Sequence, residues 1–373
     1  VTSGGAITQS GAIDADLTAS FTAGANAITL TNTSNDFSGA VSLSNSGSND
    51  VSLTDANALD LGTVGVGQNL AITASGAITD SGVVTVAGTT SFDNSGGSDA
   101  AIDLGSSSTY TGNVTFTTDA GSDVSINDSD AFGIQSGLNV NNLSITAGGA
   151  VTDLGDVDID GTLTVSAASQ TVNLDGSGND ITGGVTLTGA AVTLEDSTAT
   201  AIAGITATGA LSVTSGGAIT QSGAIDADLT ASFTAGANAI TLTNASNDFS
   251  GAVSLSNSGS NDVSLTDANA LDLGTVGVGQ NLIITTGGDL TDSGAITVAG
   301  LGTIVSTGYG VTLGDSTIAD FGSIDFSGAA VSITEGSAMA VAASEATGAL
   351  NLVASGAITQ SGAIDADLTA SFT

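Results

Sequence analysis

The chain has 373 residues, of which 34 are Asp and 3 are Glu, and it contains no Lys, Arg, His, Pro, Cys or Trp. The formal net charge of −37 excludes binding to nucleic acid or to anionic lipid through basic residues, so we expect charged partners to be cations or basic surfaces. The absence of cysteine excludes disulfides and thiolate metal sites, and no apolar run approaches the roughly 18 residues that suggest a membrane span.

A 17-residue segment, AITQSGAIDADLTASFT, occurs without change at 6–22, 218–234 and 357–373. Residues 1–70 match 213–282 with a single difference, Thr33 against Ala245. Val1 is not followed by the charged and apolar regions of a signal peptide, and the third copy runs to Thr373. We therefore expect the chain to be part of a longer array.

A more diverged motif gives the shorter period. The segments LAITASGAITDSG (70–82), LSITAGGAVTDLG (143–155), LSVTSGGAITQSG (211–223), LIITTGGDLTDSG (282–294) and LNLVASGAITQSG (350–362) are versions of one sequence, and their leading leucines are 73, 68, 71 and 68 residues apart. Such self-similarity is typical of repeat architectures. The sequence predicts one continuous domain over 1–373, with super-repeats of about 70 residues near 1–69, 70–142, 143–210, 211–281, 282–349 and, in part, 350–373.

Within each super-repeat the apolar residues alternate with polar ones, as in Val41/Leu43, Val51/Leu53, Leu59/Leu61, Val64/Val66 and Leu70/Ile72. Alternation with a period of two predicts short strands with one buried face. The intervening Gly, Asn, Asp and Ser are turn residues, and no segment shows a helical stripe. We expect a core of aliphatic residues with the aromatic side chains of Phe21, Phe37, Phe116, Phe132, Phe233, Phe249 and Phe326.

Strands this short could form a sandwich, a barrel, a propeller or a parallel solenoid. The near-identity of distant segments favours the solenoid, because equivalent layers then stack along one axis. The expected fold is an all-β parallel β-helix (β-solenoid) of about 16 coils of roughly 23 residues, three to each super-repeat. Equivalent aspartates such as Asp50 and Asp123 would then recur about every 14 Å, which avoids stacked like charges.

The stretch NDFSGAVSLSNSGSNDVSLTDANALDLGTVGVGQNLAITASGAIT (35–79) resembles repeats in the shafts of large bacterial exoproteins of the filamentous-haemagglutinin type. The resemblance covers essentially the whole chain. It implies a right-handed parallel β-helix in an exported protein that acts as an adhesin, biofilm component or surface fibre. The secretion-recognition domain of that family is absent from these residues, and shafts of this kind do not usually lack Lys and Arg altogether.

Catalysis is not expected. Nucleophilic triads need His or Lys, and a pair of carboxylates for glycoside hydrolysis would not be copied with the repeat, as Asp50, Asp123 and Asp262 are. The segment LDGSGNDITGG (174–184) is similar to calcium-binding nonapeptides but is a single imperfect copy, in which Ile181 directly follows Asp180. We therefore predict no catalytic, cofactor or metal site, and at most diffuse binding of Ca²⁺ or other cations.

The sequence thus predicts a non-enzymatic structural module, the shaft of a bacterial filament that is extracellular or at the cell surface. Its partners would be cations and further copies of itself, stacked end to end. The alternative is an adhesin module that recognises a glycan or receptor through one face of the solenoid. A binding tip would favour that alternative, and the only tyrosines are Tyr110 and Tyr309.

Overall fold

The structure is a computed structural model that describes residues 1–315 and 317–373. It divides into two compact units, which are described separately: unit 1 is Val1–Gly183 and unit 2 is Gly184–Thr373. Among the described residues there is no helix, and all strand pairs are parallel. The predicted all-β solenoid is therefore confirmed.

The number of turns differs from the expectation. The chain makes about 18 turns instead of 16. Register partners lie as little as 17 residues apart, as for Val185 and Ile202, and as much as 24 apart, as for Thr90 and Val114. The turns are shorter than expected because several strands, such as Leu59–Val66, continue through a corner without a separate loop.

Unit 1 contains 23 strands. The first twelve are β1 (Ile7–Thr8), β2 (Asp14–Ala15), β3 (Ala19–Thr22), β4 (Ile28–Leu30), β5 (Asp36–Phe37), β6 (Val41–Ser44), β7 (Val51–Asp55), β8 (Leu59–Val66), β9 (Leu70–Ala74), β10 (Ile78–Asp80), β11 (Val84–Val86) and β12 (Thr90–Asp93). The others are β13 (Ile102–Tyr110), β14 (Val114–Thr117), β15 (Val124–Asp128), β16 (Phe132–Ile134), β17 (Asn139–Val140), β18 (Leu143–Ala147), β19 (Val151–Asp153), β20 (Asp158–Ile159), β21 (Leu163–Ser166), β22 (Val172–Leu174) and β23 (Asp180–Ile181).

The strands of unit 1 stack in register. One sheet joins β1, β4, β7, β9, β12 and β14, so that inward residues form the column Ile7, Ile28, Val51, Leu70, Thr90 and Val114. A second column, on another sheet, consists of Leu59, Ile78, Ile102, Val124, Leu143 and Leu163. Leu70 and Leu143 occupy the same position in successive super-repeats but lie on different sheets.

Unit 2 contains 24 strands. The first twelve are β24 (Gly184–Gly189), β25 (Val192–Asp196), β26 (Thr200–Ala207), β27 (Leu211–Ser215), β28 (Ile219–Gln221), β29 (Ile225–Ala227), β30 (Ala231–Thr234), β31 (Ile240–Leu242), β32 (Asp248–Phe249), β33 (Val253–Ser256), β34 (Val263–Asp267) and β35 (Leu271–Val278). The others are β36 (Leu282–Thr286), β37 (Leu290–Asp292), β38 (Ile296–Ser306), β39 (Val311–Leu313), β40 (Ala319–Gly328), β41 (Val331–Glu335), β42 (Met339–Val341), β43 (Ser344–Ala346), β44 (Leu350–Ala354), β45 (Ile358–Gln360), β46 (Ile364–Ala366) and β47 (Ala370–Phe372).

Unit 2 shows why equivalent leucines change sheets. Seven register steps lead from Leu211 to Leu350, which are two super-repeats apart, through β30, β33, β35, β37, β39 and β41. Leu282, between them in sequence, pairs instead with Val263 and Gly302. One super-repeat therefore takes three and a half turns, and the expectation of three coils was wrong. Equivalent positions return to the same sheet after seven turns, or about 34 Å.

The core follows the predicted alternation. All ten residues of the alternating pairs are buried, as are all seven predicted phenylalanines. Edge-to-face contacts join consecutive turns, with ring centroids 6.1 Å apart for Phe21 and Phe37 and 6.0 Å apart for Phe233 and Phe249. No helix in the described part of the chain is long and apolar enough to cross a membrane.

Candidate functional site

The outer corners hold ladders of polar side chains. The Oδ1 atom of Asp50 accepts hydrogen bonds from the backbone N and the Nδ2 of Asn69, at 3.1 and 3.0 Å. Asn69 Oδ1 in turn accepts from the backbone N and Oγ1 of Thr89, both at 2.9 Å. The same arrangement recurs at Asp123, Asn142 and Thr162, and at Asp262, Asn281 and the backbone N of Leu301. These Asp residues join successive turns.

A second set of carboxylates lies inside the solenoid and was not predicted. Each member ends a five-residue strand of the pattern Val-x-Leu/Ile-x-Asp/Glu, in which the first, third and fifth residues point inward. Each is only 1–2 % exposed. We call them the corner carboxylates: Asp55, Asp128, Asp196, Asp267 and Glu335. They are 73, 68, 71 and 68 residues apart, one per super-repeat.

Three corner carboxylates share one geometry. The backbone N–H of a residue one turn earlier donates to Oδ1 of Asp55 at 3.1 Å, of Asp128 at 3.2 Å and of Asp267 at 3.2 Å. The donors are the aromatic residues Phe37, Tyr110 and Phe249. In all three carboxylates the buried Oδ2 has no hydrogen-bond partner. An unpaired buried oxygen of this kind is costly when the group is charged.

The other two members differ from this geometry in opposite directions. Asp196 is well supplied with donors, because the backbone N and Oγ1 of Thr198 reach its Oδ1 at 3.1 Å and Thr200 Oγ1 reaches its Oδ2 at 3.0 Å. Glu335 has no hydrogen-bond partner at either carboxylate oxygen. The set therefore ranges from a carboxylate suited to carry charge to one that is poorly suited to it.

Burial disfavours the ionised form of four corner carboxylates. It raises the pKa of Asp55 and of Asp128, and it raises the pKa of Asp267 from 3.8 to about 6. Burial, with the neighbouring negative charge of Asp320, raises the pKa of Glu335 from 4.5 to about 7. Because the chain has no Lys, Arg or His, no basic side chain offsets these effects.

Carboxylates also stack on the outside, contrary to the expectation that such ladders are avoided. Register partners include Asp14 with Asp36, Asp158 with Asp180 and Asp226 with Asp248. Strand spacing places each pair about 4.8 Å apart, well inside the Debye length. Partial burial and then the charges of Asp228 and Asp248 raise the pKa of Asp226. The expectation failed because coils of unequal length bring non-equivalent aspartates into register.

Salt is expected to stabilise the protein by screening these pairs. The melting temperature should rise between about 10 mM and 150 mM salt, and millimolar calcium should raise it further. The variant Asp226→Asn should be more stable than the native protein at low salt and depend less on salt. Asp103→Asn is the matched control, because Asp103 lies in register between Thr79 and Ser125. Calorimetry that finds equal salt dependence in both variants would contradict this prediction.

The segment 174–184 does not form a calcium loop. Its backbone N–H groups point at the carboxylates of the preceding turn: Gly176 donates to Asp153 Oδ2 at 2.8 Å and Gly178 to Asp156 Oδ1 at 2.9 Å. Within residues 1–315 and 317–373, no group of three or more acidic side chains could hold a metal ion. Of the two tyrosines, Tyr110 is buried in the core and Tyr309 is 46 % exposed.

Comparison with known proteins identifies the repeat family. A family model described as repeats of unknown function (DUF5649) matches residues 1–44, 48–117, 121–188, 189–256, 260–324 and 328–373. The chain belongs to the DUF5649 repeat family. The six DUF5649 matches cover nearly the whole chain, in agreement with a tandem-repeat solenoid. No curated protein and no solved structure matches the chain significantly.

Proposed function

We propose that this protein is a non-enzymatic structural shaft of a bacterial filament, located outside the cell or on its surface. A repeat solenoid is compatible with such a module. The observation that carries the proposal is the unbroken sequence of parallel pairings within each unit, such as the seven register steps from Leu211 to Leu350. Each turn is held to the next by backbone hydrogen bonds and by a buried apolar column.

Two features of the sequence support an extracellular location. The chain offers no Lys or Arg to proteases of trypsin specificity, which is an advantage outside a cell. Its repeats also resemble the shafts of filamentous-haemagglutinin-type exoproteins. The description of the DUF5649 family names no function, so the location rests on these two features.

End-to-end stacking is the proposed mode of assembly. Phe372 and Phe233 occupy the same place in identical 17-residue segments, yet Phe372 is 49 % exposed and Phe233 is fully buried. The difference arises because β33 covers β30, whereas β47 pairs only with β44. A further coil, from a second copy of the chain, would bury Phe372 and continue the ladder.

Electron microscopy of purified protein tests this proposal. We expect concentration-dependent fibres a few nanometres wide, with fibre diffraction at about 4.8 Å along the axis. Phe372→Asp should shorten or abolish the fibres. Tyr309→Asp is the control, because Tyr309 is similarly exposed but lies at a corner within unit 2. Native protein that stays monomeric at all concentrations, or fibres that both variants affect equally, would contradict end-to-end stacking.

One observation favours the alternative of an adhesin. In unit 1 the outward residues of one sheet form a column of small, mostly hydroxyl-bearing side chains: Thr8, Thr29, Ser52, Ala71, Ser91 and Thr115. A regular row of hydroxyls could bind a glycan by hydrogen bonds. A glycan array tests this, and binding that is lost on changing Thr29 and Thr115 to Val would favour the adhesin.

A further inference from the structure

We propose that the corner carboxylates make the solenoid proton-dependent: the turns are held firmly while these groups are protonated and loosen when they ionise. The proposal does not rest on the shaft function. It rests on the recurrence of a buried acid, one per super-repeat, at a corner where no basic group is available.

The surroundings of Asp267 show the physical basis. One oxygen accepts from the backbone of Phe249, while the other faces the core without a partner. The next turn places Thr286 in register with Asp267. A neutral carboxyl is tolerated in such a place, whereas an isolated charge is strongly disfavoured. Ionisation would therefore weaken the corner where two turns meet.

No neighbouring strand supplies a compensating charge. The strands paired with β7, β34 and β41 within their sheets, which are β4, β9, β31, β36, β39 and β44, contain no charged residue. For β15, β18 contains none and β13 contributes Asp103, which is exposed. The adjoining segments contribute only further acids: Asp36 beside Asp55, Asp130 beside Asp128, Asp248 beside Asp267, and Asp320 and Asp325 on β40, which pairs with Glu335. All of these disfavour ionisation.

The direction of the pH effect follows from the raised pKa values. A group whose pKa is higher in the folded than in the unfolded protein stabilises the fold fully below its unfolded pKa, which is 3.8 for Asp and 4.5 for Glu. This contribution is lost as the pH rises through the folded values, about 6 for Asp267 and about 7 for Glu335. Stability should therefore fall between about pH 4 and pH 8.

Amide variants test the proposal. We would measure melting by circular dichroism from about pH 5 to pH 8 in roughly 0.5 M salt, which screens the outer charges. The native melting temperature should fall by roughly 5–10 °C across this range. The triple variant Asp55→Asn, Asp128→Asn, Asp267→Asn should lose about half or more of that fall, since its amides cannot ionise.

A matched control removes the same number of charges from the surface. The triple variant Asp14→Asn, Asp158→Asn, Asp226→Asn should keep the native pH dependence. Asp196→Asn is a second control, because the hydroxyl and N–H donors of Asp196 suit its ionised form, so this change should destabilise the protein at about pH 8. A native melting temperature that is constant over the range, or inner and outer variants with the same slope, would overturn the proposal.

A second measurement applies to the native protein and does not depend on how the variants fold. Carboxyl ¹³C shifts followed by NMR should show a small group of acids that titrate above about pH 5.5, apart from the main group near pH 4. If all carboxyls titrate together near pH 4, the corner carboxylates are not proton-binding sites in the folded protein and the proposal fails.

Discussion

Phe233→Ala is expected to lower the free energy of unfolding by about 3–5 kcal/mol, whereas Phe372→Ala should cost less than about 1 kcal/mol. The two residues stand in identical 17-residue segments, so their local sequence preferences are the same. Phe233 is buried between Val213 and Leu255 of the adjoining turns and contacts the ring of Phe249. Phe372 has a register partner on one side only, Leu352.

Denaturant unfolding of the two variants measures this difference directly. Hydrogen exchange adds a local measure, since protection should drop across β27, β30 and β33 in Phe233→Ala. Phe21→Ala, at the third copy of the same position and 5 % exposed, should resemble Phe233→Ala. Equal losses at Phe233 and Phe372 would mean that coil stacking is not the source of stability.

Gly279→Ala is expected to destabilise the protein by about 1–3 kcal/mol or more, whereas Gly277→Ala should change its stability by no more than about 0.5 kcal/mol. A Cβ on Gly279 would overlap the carbonyl oxygen of Gly259 and lie 2.8 Å from the carbonyl carbon of Ser258. These are backbone atoms of the preceding turn, which cannot move aside as a flexible side chain can. A Cβ on Gly277 meets nothing within 4 Å.

The equivalent pair in unit 1 provides an internal replicate. Gly67 lies against the backbone of Gly47, and Gly65 is open. The pairs of variants, compared by thermal unfolding at one pH and salt concentration, should show the same contrast in both units. Tolerance of alanine at Gly67 and Gly279 would show that the turns are farther apart at this corner than the structure has them.

Part of the candidate site was within reach of the sequence. The segment VSLTD at 51–55 continues the inward alternation of Val51 and Leu53 to Asp55, and VSITE at 331–335 does the same for Glu335. Interpretation of Asp as a turn residue hid this signal, because Asp also begins many turns. The phase of the alternation, rather than the residue type, indicates which carboxylates are buried.

The sequence by itself determined the strands, the aliphatic core and the solenoid, because alternation with a period of two is a local property and identical segments require equivalent surroundings. It could not determine the three and a half turns of a super-repeat, which place Leu211 and Leu282 on different sheets. Nor could it show that Asp226 stacks on Asp248. Only the tertiary structure decided these points, because the length of each turn depends on how the corners pack, and a change of one residue there shifts every later register.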